Sequence, residues 1–149
     1  MSEPIRVLFV STSNASRSIL AEAILRRAGG PAYEAYSAGI APTSAVADLA
    51  LRILDDAGFE HDALRSKSIS EYLDQPFDFV ITVCDDARLV CPVFNGADQS
   101  LHWGYGDPEG LAGSEEERLA AYRVLFAQLG QRVRQFLLVT DRATASSAG

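Results

Sequence analysis

A loop of small polar residues and one arginine, STSNASRS at positions 11–18, follows a short apolar segment near the N-terminus. The amides of such a loop can converge on a tetrahedral oxyanion, and the guanidinium of Arg17 can bind two of its oxygens. The pattern is equally typical of a plain polar connection in which Ser16 is the N-cap of the next helix. The oxyanion hypothesis assigns the anion to Thr12, Ser13, Asn14, Ala15, Ser16, Arg17 and Ser18.

The chain has two cysteines, Cys84 and Cys91, both in its second half. Two cysteines do not make a disulfide-stapled secreted fold, so each is either a buried apolar side chain or part of redox chemistry. Cys84 directly follows the apolar segment at 77–83, which is typical of a buried strand. The carboxyl ends of parallel strands meet at one edge, so we expect Cys84 beside the 11–18 loop, and this placement favours redox use.

Strand and helix patterns alternate along the chain, which predicts a three-layer α/β sandwich around a central four-stranded parallel sheet. The predicted strands are 6–10, 33–38, 77–83 and 100–103, and the predicted helices are 17–27, 46–57 and 114–138.

Length and composition predict one domain, because 149 residues with 48% hydrophobic side chains are enough for a single core. We assign this domain to residues 1–140 and expect a flexible tail at 141–149. No apolar run is long enough for a membrane span, and the N-terminus lacks a signal-peptide pattern, so we expect a soluble cytoplasmic protein. A net charge of −7 argues against nucleic acid as a partner. His61 and His102 are isolated, so we predict no metal site and no cofactor.

The sequence resembles the low-molecular-weight protein tyrosine phosphatase family, and within it the arsenate reductase branch. Arg17 and Ser18 match the end of the family's loop pattern, which is cysteine, five residues, arginine and serine, and Asn14 matches its bracing asparagine. Seven further motifs occur in the order and spacing of that branch: AEAI (21–24), YSAG (36–39), RSKS (65–68), DFVITVCDDA (78–87), CP (91–92), HWG (102–104) and DP (107–108).

The resemblance implies a relay of three cysteines. A thiolate at position 11 attacks arsenate, Cys84 attacks that cysteine to release arsenite, and Cys91 then forms a redox-active disulfide with Cys84. A thioredoxin or glutaredoxin partner reduces this disulfide. By the same resemblance, Asp107 is the general acid, and Arg17 and the loop amides stabilise the oxyanion charge.

This chain carries Ser11 where the family has its nucleophilic cysteine. A cysteine thiol has a pKa of about 8.5 that a helix N-terminus and an arginine lower further, whereas a serine hydroxyl stays protonated. We therefore expect the chain to bind the anion without turning it over. The serine is either a deliberate substitution that traps a bound state or a natural change to a binding protein. The otherwise intact set of Arg17, Cys84, Cys91 and Asp107 favours the first.

Two other functions remain open. A phosphotyrosine phosphatase usually has aromatic residues after Asp-Pro, whereas here Glu109 and Gly110 follow Asp107 and Pro108. A non-catalytic oxyanion sensor is the other alternative. The loop also departs from the family at Ala15, at Ser16, where many members have a second cysteine, and at Ser13, where glycine is common. The change at Ser13 matters only if the loop needs a positive φ at this position.

Overall fold

Four strands form one parallel sheet in a computed structural model of the chain, which describes residues 3–43, 45–84 and 97–148. The strands lie in the order β2-β1-β3-β4. They are β1 (Ile5–Ser11), β2 (Tyr33–Gly39), β3 (Phe77–Thr82) and β4 (Ala97–His102). The predicted α/β class and the four-stranded parallel sheet are confirmed.

The central strand β1 explains where the site forms. Its residues from Val7 to Ser11 are buried, because the strand pairs with β2 on one side and β3 on the other. This burial matches its nearly continuous apolar sequence. In the register of the sheet, Ser11 lies opposite Gly39, and Val10 lies opposite Thr82. The carboxyl ends of all three strands therefore meet at one edge, as predicted.

Three helices, α1 (Arg17–Gly29), α2 (Asp48–Asp56) and α3 (Glu115–Ala148), contribute to one hydrophobic core on a single face of the sheet. The opposite face carries a second apolar cluster, in which Tyr72, just after a 3-10 turn at Ile69–Glu71, packs against β1 and β3. None of the helices in the described part of the chain combines the length and the apolar character that crossing a bilayer requires.

Helix α3 begins where the sequence predicts it and ends later than the sequence predicts. Ser114 and Glu117 form a reciprocal capping box, in which the Glu117 amide donates to Ser114 Oγ at 3.1 Å and the Ser114 amide donates to Glu117 Oε1 at 3.4 Å. The helix continues to Ala148, beyond the predicted end at 138. Residues 139–148 contain neither glycine nor proline, so the sequence provides no stop signal before the last residue.

Candidate functional site

The loop between β1 and α1 is held from outside by the segment that follows β2. Carbonyl oxygens of the loop accept hydrogen bonds from amides of residues 40–47. These bonds are Ile40 N to Ser11 O (3.0 Å), Ala41 N to Thr12 O (2.8 Å), Thr43 N to Ser13 O (3.1 Å) and Ala47 N to Ala15 O (2.9 Å). Because C=O and N–H point in opposite directions across a trans peptide, this arrangement turns the loop amides toward the other side, where they can converge on an anion.

Asn14 fixes the shape of the loop. It has a φ of 51°, in the left-handed region that asparagine tolerates better than most residues. Its side-chain amide donates to Ser18 Oγ at 2.8 Å, and its Oδ1 accepts the backbone amide of Lys67 at 2.8 Å. The left-handed residue of the loop is thus Asn14 and not Ser13, so the serine at position 13 carries no backbone strain.

Ser11 lies at the bottom of the loop and is buried. Its hydroxyl oxygen accepts the Asn14 amide at 3.0 Å and is 2.7 Å from Ser18 Oγ. These contacts are made by a backbone donor and a hydroxyl, which suit a negatively charged atom at this position. The side chain at position 11 is thus the point at which the Asn14 amide and the Ser18 hydroxyl meet.

Arg17 and Asp107 are brought together, although 90 positions of sequence separate them. Arg17 Nη2 lies 3.7 Å from Asp107 Oδ2, and Arg17 Nη1 donates to the carbonyl of Tyr105 at 2.9 Å. Asp107 Oδ1 accepts the Glu109 amide at 3.0 Å and thereby caps the 3-10 turn Pro108–Gly110. In this structure the guanidinium binds the segment that carries Asp107.

Cys84 lies beside the loop, where the strand-end argument placed it. Its Sγ is 3.4 Å from Thr12 Oγ1, and the side chain is buried in the apolar cluster with Leu8 and Val10. Cys91 lies outside the described residues, so its disulfide with Cys84 stays a prediction. Ser16 is at the N-cap position of α1, but its side chain makes no capping hydrogen bond.

Sequence reasoning missed a buried charged network behind the loop. Lys67 Nζ donates to the Arg65 carbonyl at 2.6 Å and lies 3.5 Å from Asn14 Oδ1 and 3.8 Å from Glu22 Oε1. Ser37 Oγ also donates to Glu22, at 2.5 Å. Burial lowers the pKa of Lys67, and the negative charge of Glu22 opposes that shift. The network holds the Asn14 side chain in place through its bond with Lys67. The motif RSKS did not predict the network, because Lys67 is 53 residues from Asn14 in the sequence.

The two histidines have structural contacts. His102 Nδ1 is 2.8 Å from Thr82 Oγ1 across the ends of β4 and β3, and His61 Nε2 is 2.6 Å from Asp55 Oδ1. Trp103, next to His102, packs its ring against Phe9. Within residues 3–43, 45–84 and 97–148, no group of three or more His, Cys, Asp and Glu side chains is arranged to hold a metal ion.

Known proteins resemble this chain in sequence and in fold. The family described as low molecular weight phosphotyrosine protein phosphatase matches residues 6–146. An arsenate reductase of Halalkalibacterium halodurans is 32% identical over 130 residues, which are 87% of this chain and 93% of that protein.

Two solved structures extend the comparison. The thioredoxin-dependent arsenate reductase of Corynebacterium glutamicum superposes with a TM-score of 0.74 at 28% identity, over 96% of this chain and 65% of that chain. A low molecular weight protein tyrosine phosphatase of T. tengcongensis gives 0.72 at 26% identity, over 89% and 97%. The chain therefore belongs to the low molecular weight phosphotyrosine protein phosphatase family, in the branch that contains the arsenate reductases.

Proposed function

We propose that this chain binds arsenate, and phosphate as its structural analogue, in the 11–18 loop. The loop amides and Arg17 balance the negative charge of the anion, in a protein whose overall field opposes its approach. The observation that carries the proposal is the meeting of the Asn14 amide and the Ser18 hydroxyl at Ser11 Oγ, in a loop whose own residue Arg17 supplies a guanidinium. The arsenate reductase relatives support arsenate as the substrate of the branch.

Reduction of arsenate needs a thiol at position 11. A thiolate at this position forms an S–As(V) bond, and Asp107 protonates the oxygen that leaves as water. Cys84 then attacks the sulfur at position 11, forms a disulfide with it and releases As(III) as arsenite, so two thiols supply the two electrons. Cys91 next attacks Cys84, which transfers the disulfide to positions 84 and 91 and frees position 11. The Thr12–Cys84 contact supports this order, because it puts the second thiol beside the loop.

Ser11 stops this sequence at the binding step. Its hydroxyl remains protonated at neutral pH, and an O–As ester offers Cys84 no sulfur to attack. The chain with Ser11 therefore holds the oxyanion without reducing it, and the Ser11→Cys variant restores the relay. We infer a substitution in a reductase rather than a dedicated binding protein, because Cys84 still lies at the loop.

We propose thioredoxin as the external reductant of the restored relay. The C. glutamicum relative is described as thioredoxin-dependent, which supports this choice over glutaredoxin. Either partner places the reaction in the cytoplasm, where such systems keep thiols reduced. Exchanging one reductant for the other in a coupled assay distinguishes them.

Phosphotyrosine hydrolysis is the second candidate, because the T. tengcongensis relative is a phosphatase of the same fold. The turn after Asp107 argues against it. Pro108 is buried and Glu109 is exposed, so the turn offers a carboxylate where a phenyl ring would need an apolar surface. A carboxylate there repels an anionic peptide. Hydrolysis of an aryl phosphate by Ser11→Cys, without arsenate reduction, would favour the phosphatase.

Titration calorimetry with arsenate and phosphate tests the binding step. Arg17→Ala removes the guanidinium that completes the anion site, so its heat of binding should disappear. Arg123→Ala removes the same charge at an exposed position on α3, outside the 11–18 loop, and should bind like the unmodified chain. If Arg17→Ala binds both anions as tightly as the unmodified chain, the loop is not the anion site.

A further inference from the structure

An apolar groove opens between α3 and the segment that carries Asp107. It has a volume of about 340 Å³, and its walls include Tyr105, Asp107, Leu111 and Val124. Leu111 and Val124 are 45% and 57% exposed, and they are two of the five large apolar side chains exposed in the part of the chain that the structure describes. Single exposed apolar side chains are ordinary, whereas two that share one groove are typical of a surface that another molecule covers.

The groove lies beside the proposed thiol pair. The Tyr105 amide donates to the Val83 carbonyl at 3.2 Å, and Val83 directly precedes Cys84. Asp107, in the same wall, lies 3.7 Å from the guanidinium of Arg17. One wall of the groove is therefore attached both to the strand end that carries Cys84 and to the loop proposed to hold the anion.

The chemistry of the possible ligands favours the reductant as the molecule that covers this groove. Arsenate is small, charged and strongly hydrated, so apolar walls contribute nothing to its binding. A phosphotyrosine peptide would offer its ring to Leu111 and Val124, but its negative charge would lie next to the exposed carboxylate of Glu109. The proposed reaction brings one more molecule to this edge, the reductant, whose dithiol has to reach the disulfide of Cys84.

The contact area of a protein reductant is large enough to include the groove. Specific and transient protein complexes bury about 600–800 Å² on each partner, which as a round patch has a radius of roughly 14–16 Å. Because Tyr105 is hydrogen-bonded to the residue before Cys84, a reductant centred on the Cys84 disulfide covers the Tyr105 wall of the groove. A few apolar side chains within such a patch can supply most of its binding energy.

We propose that the groove of Tyr105, Leu111 and Val124 is a docking surface for the thioredoxin that reduces the Cys84–Cys91 disulfide. This inference rests on the proposed function, because it adds a binding surface for the reductant named there. A thioredoxin thiolate attacks one sulfur of the disulfide and releases the other as a thiolate. The second thioredoxin thiol then attacks the mixed disulfide, which leaves both cysteines of this chain reduced and thioredoxin oxidised.

Reduction of the oxidised chain by thioredoxin tests the docking surface without arsenate. The chain has two cysteines, so diamide can form only one intramolecular disulfide. Its reduction is followed as NADPH oxidation through thioredoxin reductase, at varied thioredoxin concentration. The double variant Leu111→Gln/Val124→Gln removes the apolar surface without adding charge, and the second-order rate constant of its reduction should fall by about tenfold.

Matched variants on the same helix control for the loss of exposed apolar surface. Leu138 and Val139 repeat the two residue types, are 58% and 68% exposed, and lie about 21–23 Å beyond Val124 along the axis of α3. Leu138→Gln/Val139→Gln should be reduced by thioredoxin at the unmodified rate. Dithiothreitol needs no docking surface, so it should reduce all of the oxidised chains at one rate, measured by the appearance of free thiols.

Reduction of Leu111→Gln/Val124→Gln by thioredoxin at the unmodified rate would refute the docking surface. An equal loss of rate with dithiothreitol would also refute it, because the substitutions would then act on the disulfide itself. Slower aryl phosphate hydrolysis by Ser11→Cys carrying the same two substitutions, with unchanged thioredoxin kinetics, would assign the groove to a phosphopeptide instead.

The outcomes also separate the docking surface from the proposed anion site. If the unmodified chain binds neither arsenate nor phosphate, while its disulfide is still reduced through the groove, the anion site alone is refuted. If diamide forms no disulfide between Cys84 and Cys91, the relay and the docking surface are refuted together.

Discussion

Substitution of Gly39 by alanine should disturb the proposed anion site through the close contacts of one added methyl group. Gly39 ends β2 and pairs with Ser11. A Cβ at this position would lie 2.9 Å from the Thr12 carbonyl oxygen and 3.0 Å from the amide nitrogen and the Cβ of Asn14. These atoms belong to the loop backbone and to its bracing residue, so they cannot rotate away as a flexible side chain would. The loop must move.

The expected loss of stability can be estimated from the shortest of these contacts, which is with the Thr12 carbonyl oxygen. Ordinary contact begins at 3.4 Å, so the Thr12 carbonyl has to retreat by about 0.5 Å, the difference between 3.4 and 2.9 Å. Such overpacking lowers the free energy of unfolding by about 1–3 kcal/mol. Replacing a glycine inside a strand raises it by roughly 0.5–1 kcal/mol, because alanine loses less backbone entropy on folding. We expect a net loss of roughly 1 kcal/mol in unfolding free energy, and of about 2.5 kcal/mol at most. Displaced amides should also weaken phosphate binding by about tenfold, or roughly 1.4 kcal/mol.

Urea unfolding and phosphate calorimetry measure the two effects on the same samples. Gly130→Ala is the control, because the nearest atom to its Cβ is Arg134 Nη1 at 3.6 Å, within α3. It should raise stability by up to about 1 kcal/mol and leave phosphate affinity unchanged. Unaltered phosphate affinity in Gly39→Ala would refute the claim that Gly39 sets the position of the loop.

Arg17→Lys keeps the charge and loses the planar fork, so calorimetry should show phosphate binding weakened by about tenfold or more, and equal affinity would rule out bidentate binding. Lys67→Met leaves Glu22 buried with Arg26 as its remaining cation, and urea unfolding at neutral pH should show a loss of about 3 kcal/mol. Because burial lowers the pKa of Lys67 from 10.5, the unfolded chain binds more protons in the window between the folded value and 10.5. The difference in unfolding free energy between the unmodified chain and Lys67→Met should therefore grow as pH rises through that window. A difference that shrinks with pH would contradict the lowered pKa of Lys67.

The parts of the site that the sequence predicts are those set by short-range patterns. The apolar run of β1, the polar loop and the periodic helix after it are adjacent in sequence, so they define the loop directly. The rule that parallel strands end at one edge was enough to place Cys84 beside the loop. The meeting of Arg17 with Asp107 came from the family resemblance, since 90 positions separate the two residues.

The features that were missed depend on contacts between distant segments. Lys67 has the appearance of an exposed loop charge in the sequence, and only the folded chain buries it against Glu22. Ser16 gives a sequence signal that the structure does not follow. It occupies a typical capping position, but its side chain makes no capping hydrogen bond.

Arsenate-dependent oxidation of NADPH, coupled through thioredoxin and thioredoxin reductase, tests the central claim most directly. The unmodified chain should show no turnover, Ser11→Cys should turn over, and adding Cys84→Ala or Cys91→Ala to Ser11→Cys should abolish the rate. Failure of Ser11→Cys to reduce arsenate, in a sample that still binds phosphate, would contradict the assignment of this loop and Cys84 to arsenate reduction.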